Sequence, residues 1–334
     1  MVRSYGSLLA YNAYTPETYD DAVAARAAYE AGQPATFSLD KKYPLIACCG
    51  DMVSDPDLND NRDQLEGSAI AARFKSVSDL VVNSNCTFFC CLGDNVYEDG
   101  QLANYLYGYA NTFGRVDDKC LPIPGNHEYQ TPEGADYYEY FGHKAGVPGR
   151  GYYAVNIANW RWYSLNSNSA GMVAAGSVQA LWFEADMAAH ADRPKVVAWH
   201  HPRWTDGATG AVADDNNYDH LWQLMYADGN VQVALAGHDH NYQRWDTIKS
   251  AGTGANPATV ADGITQFVVG CGGHNFFNLI PLRNTGGPGN ANRSTYGHDR
   301  AFGVLFLRLG PTSWDWMFKG IDGTVHDEGN RAIH

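Results

Sequence analysis

The sequence predicts an α/β fold, because apolar runs with the length of buried strands alternate with segments of helical spacing. The first two runs are residues 45–49 and 87–92, and residues 62–83 between them carry apolar side chains at helical spacing. A strand, a helix and a second strand form a βαβ unit, whose strands are parallel. Both runs end in Gly-Asp, at the carboxyl edge where open α/β sheets bind their ligands.

Further along the chain the alternation continues. Residues 152–157 and 160–165 resemble an antiparallel pair, and Ser177 is a suitable N-cap for the helix that follows it. Other strands are predicted at 121–124, 195–199, 231–236, 264–269, 304–309 and 314–318, and a further helix at 219–228. The last two strands are expected to form a hairpin that closes the chain. Residues 284–298, rich in Gly and Asn, are expected to form a surface loop.

The domain organisation follows from composition along the 334 residues. Residues 1–42 are rich in Tyr and Ala, show no chemistry, and are expected to form an N-terminal arm or appendage. No linker or break in composition follows, so residues 43–334 are expected to form one domain.

Charge and hydropathy exclude several classes of partner. The chain is 45% hydrophobic, which allows a sizeable core, and its net charge of −14 argues against a nucleic-acid partner or an anionic membrane surface. No apolar stretch is long enough to predict membrane insertion. A small anionic substrate is not excluded, because bound metal ions can reverse the local field of a site.

The seven cysteines are an odd number and form no Cys-x-x-Cys zinc pattern. Four of them lie in predicted buried strands, where Cys behaves as a small hydrophobe. Neighbouring strands can still bring cysteine pairs together, so disulfide status is left open. The N-terminus as written has no apolar region typical of a signal peptide.

Residues able to bind metal follow five of the predicted strands. In chain order they are Asp51, then Asp94 with Tyr97, then Asn126 with His127, then His200, then His238 with His240. Any one block has an ordinary explanation as a turn, a cap or a core residue. Five blocks together indicate a metal or catalytic site. Carboxylate, imidazole, phenol and amide ligands suit Fe, Zn or Mn rather than a thiolate site or a site for Ca²⁺ alone.

The number of candidate ligands is sufficient for two metal ions if one carboxylate bridges them. Asp94 is the natural bridge, because it is central in the series of blocks. Two ions about 3.5–4 Å apart form a clamp suited to phosphoryl transfer.

These blocks resemble the five-block signature of the calcineurin-like metallophosphoesterases. The matching motifs are Gly50-Asp51, Gly93-Asp94-x-x-Tyr97, Gly125-Asn126-His127-Glu128, Val-x-x-His200 and Gly237-His238-x-His240. The wider agreement at 199–202 and 237–244 is similar to bacterial members of the purple acid phosphatase branch. The resemblance covers about residues 44–325 and implies a four-layer αββα sandwich with mixed sheets, a central β-sandwich flanked by helices.

One block distinguishes the branches of this superfamily. Most members carry Asp-x-His in the first block, whereas this chain has Val53 at the His position, and Val cannot bind metal. The resemblance assigns that place to Tyr97, whose phenolate favours a trivalent ion such as Fe(III). The implied first set is Asp51, Asp94, Tyr97 and His240. The implied second set, for Fe(II), Zn or Mn, is Asp94, Asn126, His200 and His238.

The function implied by the resemblance is that of an acid phosphatase-like enzyme, which cleaves phosphate monoesters by attack of a metal-activated hydroxide. His127 is expected to face the substrate, where it would stabilise the phosphoryl oxygens or protonate the leaving group. His201 is the second catalytic candidate and would also bind substrate. Arg244 and His274 are expected at the rim as substrate-binding residues.

Two further carboxylates, Glu128 and Asp239, are expected to orient the ligand histidines. The alternatives left open are a phosphodiesterase or nucleotidase with the same metals, and a non-catalytic binding module on a surface. The expected partner is a small-molecule phosphate ester. Family resemblance suggests an extracellular or periplasmic location, a cytoplasmic one stays open, and no oligomeric state is predicted.

Overall fold

The computed structural model of the chain describes residues 43–54, 67–207, 216–249, 260–279 and 294–334. The expected N-terminal arm lies outside these residues, so its boundary with the domain stays a prediction. In the part of the chain that is described, every helix is too short or too polar to span a membrane.

Strands and helices alternate as predicted. The strands are β1 Leu45–Cys49, β2 Val53–Ser54, β3 Phe88–Cys91, β4 Val96–Tyr97, β5 Cys120–Pro122, β6 Tyr153–Ile157, β7 Trp160–Ser164, β8 Lys195–Ala198, β9 Val231–Ala236, β10 Tyr242–Ile248, β11 Ile264–Val269, β12 Tyr296–His298, β13 Gly303–Leu309, β14 Ser313–Gly320 and β15 Val325–Ala332. The α-helices are α1 Gly67–Asn83, α2 Leu102–Asn104, α3 Ala135–Phe141, α4 Ala170–Val173, α5 Val178–Ala189 and α6 Asp219–Asp228. A π-helix at Tyr105–Tyr109 and short 3₁₀ turns connect them.

Two mixed sheets form the centre of the fold. The first has the order β15-β14-β13-β1-β3-β5, and the second has the order β12-β10-β11-β9-β8-β7-β6. Strand β1 pairs in parallel with β3, which confirms the predicted βαβ unit, and antiparallel with β13. In the second sheet β7, β8, β9 and β11 are parallel neighbours. The parallel strands read as continuous apolar runs because both of their faces are covered.

The alternation of side chains along β9 shows how the layers pack. Val233 and Leu235 join the core between the two sheets, whereas Ala234 and Ala236 face the other way. On that outer side they pack with α5 and α6, for example with Trp222. Helix α1 covers the first sheet through buried residues such as Val77. The predicted α/β class with mixed sheets and outer helices is therefore confirmed.

The predicted start of one helix and the predicted end of another are also confirmed. The Ser177 side chain accepts the backbone N–H of Ala180 at 3.1 Å and caps α5. Gly229 ends α6 in the left-handed region, at φ 77°, where glycine meets no Cβ clash.

The end of the chain differs from the prediction. The 304–309 and 314–318 hairpin forms, but β15 then adds a further antiparallel strand at the sheet edge. Its polar sequence, VHDEGNRA, lacks the apolar alternation used to predict strands. Part of the expected 284–298 loop lies outside the described residues, and its last residues enter β12, which pairs with β10.

The seven cysteines are all buried, as expected for cysteines in apolar runs. Neighbouring strands β3 and β5 bring Cys91 and Cys120 together, with their Sγ atoms 2.9 Å apart. Burial raises the pKa of the Cys91 thiol well above its ordinary value, so this sulfur stays protonated near neutral pH.

Candidate metal centre

The carboxyl ends of parallel strands from both sheets meet at one site. Asp51 follows β1, Asp94 follows β3 and Asn126 follows β5, which are adjacent in the first sheet. His200 follows β8 and His238 follows β9, which are adjacent in the second. Packing the two sheets face to face therefore places these side chains against one another.

The loops that carry the candidate ligands have unusual backbone conformations. Asp51, Asp94 and His238 lie in the left-handed region, at φ 59°, 47° and 67°. This region is sparsely populated by residues other than glycine, and strained residues cluster at functional sites. Gly125 must be glycine for a different reason, since a Cβ there would overlap the carboxylate and the backbone nitrogen of Asp94.

The first half of the site is centred on a phenol. Tyr97 Oη donates to Asp51 Oδ1 at 2.9 Å and lies 3.1 Å from Asp94 Oδ2 and 3.0 Å from His240 Nε2. His240 Nε2 is also 3.2 Å from Asp51 Oδ1. We call Asp51, Tyr97 and His240 the tyrosine half. All three side chains are buried.

The second half is centred on an imidazole. His200 Nε2 lies 3.2 Å from Asp94 Oδ2, 3.2 Å from Asn126 Oδ1 and 3.2 Å from His238 Nδ1. We call Asn126, His200 and His238 the histidine half. Asp94 Oδ2 is the atom common to both halves, and the three groups Asp51, Asp94 and His200 can place ligand atoms within 4.8 Å of one another.

Hydrogen bonds behind the rings set which nitrogen faces the site. His200 Nδ1 is 2.7 Å from the carbonyl oxygen of Leu92, and His240 Nδ1 is 2.8 Å from Asn275 Oδ1. Both partners are acceptors, so Nδ1 carries a proton in each ring and Nε2 is the nitrogen that points into the cluster. This arrangement is typical of metal-binding histidines.

In the cluster, burial and nearby charges shift the pKa values of the same groups in opposite directions. Burial raises the pKa of Asp94, but His200 outweighs it and the net shift is well below the ordinary value. Burial lowers the pKa of His200, yet the Asp94 carboxylate raises it to about 9 overall. Burial, together with Asp51 and Asp94, raises the pKa of the Tyr97 phenol. The protonated His200 ring and the Tyr97 hydroxyl thus stabilise the buried carboxylates of Asp94 and Asp51, the first by its positive charge and the second by hydrogen bonding.

The buried carboxylates make this set of donors suitable for metal ions. Two buried carboxylates need positive charge or hydrogen-bond donors beside them, and bound cations would supply that charge in place of the protons on Tyr97 and His200. In the histidine half, burial and the nearby His200 charge lower the pKa of His238 to about 4, so this ring is a neutral donor. Neutral imidazoles, carboxylates and a phenol form a mixed site suited to Fe, Zn or Mn.

Glu128 does not orient a ligand histidine, which corrects the expectation from the sequence. Its carboxylate accepts the backbone N–H groups of Asp94 and Asn95, both at 2.9 Å, and of Gly125 at 2.6 Å. Tyr105 Oη donates to it at 3.1 Å. This fully buried carboxylate therefore fixes the backbone of two ligand loops.

Asp239 differs from the expectation in the same way. Its carboxylate accepts hydrogen bonds from Thr205 and, at 2.9 Å each, from the side-chain amides of Asn241 and Gln243. It lies between His238 and His240 in the sequence, but its contacts support the neighbouring loop rather than an imidazole ring.

His127 and His274 lie on either side of Tyr97. The His127 ring is 4.3 Å from the Tyr97 ring, its Nε2 is 3.9 Å from Asp94 Oδ2, and its side chain is 23% exposed. His274 is buried and stacks on Tyr97 at 3.8 Å, with Nδ1 2.5 Å from Ser54 Oγ. His127 therefore faces the open side, whereas His274 backs the phenol and does not occupy the expected rim.

His201 lies beside the histidine half, with its ring 4.4 Å from that of His238. Ser167 Oγ accepts the backbone N–H of His200 at 3.3 Å and of His201 at 3.1 Å, and it is 2.8 Å from His201 Nδ1. With both lone pairs of Ser167 occupied, its hydroxyl donates to Nδ1. The proton of a neutral His201 is then on Nε2, and burial lowers the pKa of this ring well below its ordinary value.

Arg244 is not brought to the cluster. Its guanidinium donates to Asp327 at 2.8 Å and 3.2 Å and to Asp246, and it lies 5.1 Å from the Trp316 ring centroid. These contacts place it at the outer strands of the two sheets, against the expectation of a substrate contact.

Two residues of the site were missed from the sequence, Ser167 and Asn275. Ser167 follows β7, a parallel neighbour of β8, so the strand-end argument could have found it. Asn275 follows the Gly-rich end of β11, where no apolar pattern or acidic residue drew attention to an amide.

Comparison with known proteins agrees with the fold. The sequence model of the calcineurin-like phosphoesterases matches residues 44–242, more than half of the chain. A purple acid phosphatase from yellow lupin seeds is similar in structure, with a TM-score of 0.69 and 17% identity over 86% of this chain. This chain spans 53% of the lupin protein, about half of its length. No curated protein matches the chain in sequence.

Two further structures share the fold at lower similarity. A dimetal phosphatase from Danio rerio has a TM-score of 0.54 and 11% identity, covering 87% of this chain and 99% of the other. PhoD has a TM-score of 0.53 and 12% identity, covering 87% of this chain and 71% of the other. From its family match, and with its metal-capable strand ends gathered at one site, the chain belongs to the calcineurin-like phosphoesterases.

Proposed function

We propose that the chain is a dinuclear-metal phosphohydrolase of the purple acid phosphatase type that cleaves phosphate monoesters. The observation that carries this proposal is the position of Asp94 Oδ2, which lies 3.1 Å from Tyr97 Oη and 3.2 Å from His200 Nε2. One carboxylate oxygen is thus common to the two donor sets, which suits Asp94 as the residue that two metal ions would share.

The first set would hold Fe(III) through Asp51, Asp94, Tyr97 and His240. The second set would hold Fe(II), Zn or Mn through Asp94, Asn126, His200 and His238. A pair of such ions supplies positive charge at the phosphoryl oxygens and lowers the pKa of water, which makes a nucleophile available near neutral or mildly acidic pH.

The chain's own residues position the ester and move a proton. His127 lies beside Asp94 on the open side of the site, where its ring can donate a hydrogen bond to a phosphoryl oxygen. His201 holds its proton on Nε2 because Ser167 occupies Nδ1, so it can donate to a phosphoryl oxygen or to the leaving oxygen. His274 keeps the Tyr97 ring in place by stacking on it.

The test is hydrolysis of p-nitrophenyl phosphate and bis-p-nitrophenyl phosphate by protein reconstituted with Fe plus Zn or Mn, from about pH 4 to 9. Turnover of the monoester that is lost in Asp94→Asn supports the proposal. Asp322→Asn is the matched control, because it removes the same charge in an exposed turn. Preference for the diester would support a phosphodiesterase, and no turnover with both metals bound would contradict phosphatase activity altogether.

A further inference from the structure

Two cysteine sulfurs lie closer together than unbonded atoms normally do. Cys91 Sγ on β3 is 2.9 Å from Cys120 Sγ on β5. Unbonded carbon atoms pack at about 3.5–4.0 Å and sulfur is the larger atom, so two thiols at this distance repel each other. A thiol is only a weak hydrogen-bond donor, and a hydrogen bond does not account for so short a contact. Because a disulfide bond is about 2.0 Å long, an approach of about 0.9 Å would make the contact covalent.

The register of the two strands brings both side chains to the same face of the sheet. Strands β3 and β5 are parallel neighbours, and Cys120 lies opposite Phe89. Cys91 is two residues beyond Phe89, and side chains two residues apart along a strand point to the same face. The two cysteines are therefore diagonal neighbours, and their side chains lean towards each other so that the sulfurs meet.

The surroundings of the pair favour a disulfide over a metal site. Cys91 and Cys120 are 0% and 1% exposed. Tyr109 Oη lies 3.0 Å from Cys91 Sγ and 3.7 Å from Cys120 Sγ. In the described part of the chain, no further Cys, His, Asp or Glu places a ligand atom close enough to make this pair a three-ligand site. Structural zinc sites have four such ligands, so two thiols beside a tyrosine do not suit zinc.

We propose that Cys91 and Cys120 form a disulfide bond when the chain folds in an oxidising environment. Strand β3 is followed by Asp94 and strand β5 by Asn126, so the bond fixes the spacing of two strands that carry candidate metal ligands. The bond forms without a metal ion and does not depend on the proposed phosphatase function.

Formation of the bond removes two protons and two electrons from the two thiols, and a small disulfide such as oxidised glutathione accepts them. One cysteine thiolate attacks the glutathione disulfide, breaks its S–S bond and releases one glutathione thiolate. The second cysteine thiolate attacks the protein sulfur of this mixed disulfide and releases the other glutathione. The two released thiolates take up the two cysteine protons. Because both sulfurs are buried in the folded chain, these steps precede the burial of β3 and β5.

The test refolds the full chain from its reduced, unfolded state, once with oxidised and reduced glutathione and once with excess reductant. Each sample is unfolded, alkylated without reduction, digested and mapped by mass spectrometry. The oxidised sample should contain a Cys91–Cys120 cross-link and five alkylated cysteines out of the seven, and the reduced sample seven. The oxidised protein should also melt a few degrees higher, because the bond joins residues 29 apart in the sequence and restricts the unfolded chain.

Two neighbouring substitutions give a matched comparison. Cys91→Ala should abolish the cross-link and the difference in melting temperature between the two samples. Cys90→Ala removes the same group from the adjacent residue, which is equally buried but points to the opposite face of the sheet. This variant should keep both the cross-link and the difference in melting temperature.

Seven alkylated cysteines after oxidative refolding would overturn the proposal. A cross-link from Cys91 to Cys49, which lies opposite it on β1, would overturn it as well. So would loss of the cross-link in Cys90→Ala in a protein that folds. The peptide map of the wild type decides the question even if neither variant folds. Where refolding is inefficient, the same map is made on protein secreted into a bacterial periplasm, where disulfides form as the chain folds.

Discussion

The two halves of the site differ in burial and in chemistry. In the tyrosine half, Asp51, Tyr97 and His240 are 0%, 1% and 4% exposed. In the histidine half, Asn126 and His238 are only half-buried, and Asn126 lines a cavity of about 210 Å³. The tyrosine half contributes a carboxylate, a phenol and one imidazole, and the histidine half contributes an amide and two imidazoles. Under the proposed function, the tyrosine half would hold buried charge and the more exposed histidine half would contact the substrate.

The largest effect is expected from Asp94→Asn, because Asp94 is the one side chain shared by both halves. The change keeps the shape but removes the negative charge that two cations would share. Loss of outer-shell partners alone costs about 10–100-fold in metal affinity or activity, so loss of this ligand should lower kcat by more than about 100-fold. Metal analysis should show that both halves are depleted. Full retention of two ions would contradict the bridging role.

The next largest effect is expected from Tyr97→Phe, which removes one oxygen from the tyrosine half and leaves the stack on His274 in place. Without the phenol this half loses its preference for a trivalent ion, so iron content should fall while the histidine half keeps its ion. We expect kcat to fall about 100-fold, the upper end of the loss seen when only an outer partner of a ligand is removed, because here a ligand itself is removed. Tyr107→Phe, at an 80% exposed position, is the control. Equal depletion of both ions would show that the halves are not independent.

A smaller effect is expected from Glu128→Gln, which acts on the backbone behind both halves. Glutamine has the same shape but only one acceptor oxygen, so the N–H groups of Asp94, Asn95 and Gly125 cannot all be satisfied. We expect about a tenfold loss of metal affinity, measured by chelator competition, with little preference for either half. A loss confined to one half would contradict a common support.

The smallest effect on the site is expected from Asp117→Asn, a control carboxylate outside both halves. Burial raises the pKa of Asp117 to about 6. A hydrogen bond that Tyr140 donates to the carboxylate lowers this pKa, but by less than burial raises it. Since the folded pKa lies above the unfolded value near 4, the folded state binds the proton more tightly, and this contribution to stability is lost as pH rises from about 4 to 6.

The measurement for Asp117→Asn is the melting temperature across pH. Above about pH 6 the variant should melt a few degrees higher than the wild type, and the difference should disappear near pH 4. Its metal content and phosphatase rate should be unchanged. A difference that is constant with pH would show that Asp117 titrates normally.

Much of the fold and of the cluster was predictable from the sequence, because the residues that follow an apolar run in the sequence are also those at the end of a strand in the fold. The apolar runs predicted the parallel strands. Because the carboxyl ends of parallel strands lie at one edge of a sheet, Asp51, Asp94 and His200 could be grouped without a structure. The partners of Glu128 could not be predicted, since backbone N–H groups have no signature in the sequence. Strand β15 was missed for the opposite reason: an edge strand is specified by its neighbour β14 more than by its own residues.

The left-handed backbone at Asp51, Asp94 and His238 has a consequence for selection experiments. Each such position holds a conformation that glycine adopts with less strain, at a cost of about 1 kcal/mol or more per residue. A library of this chain selected only to survive heating, with no demand for turnover, should accumulate glycine or asparagine at these three positions. Heat resistance and the proposed hydrolysis of phosphate esters would then diverge first at the residues proposed to bind the metals, and the most thermostable descendants would be inactive proteins with an intact fold.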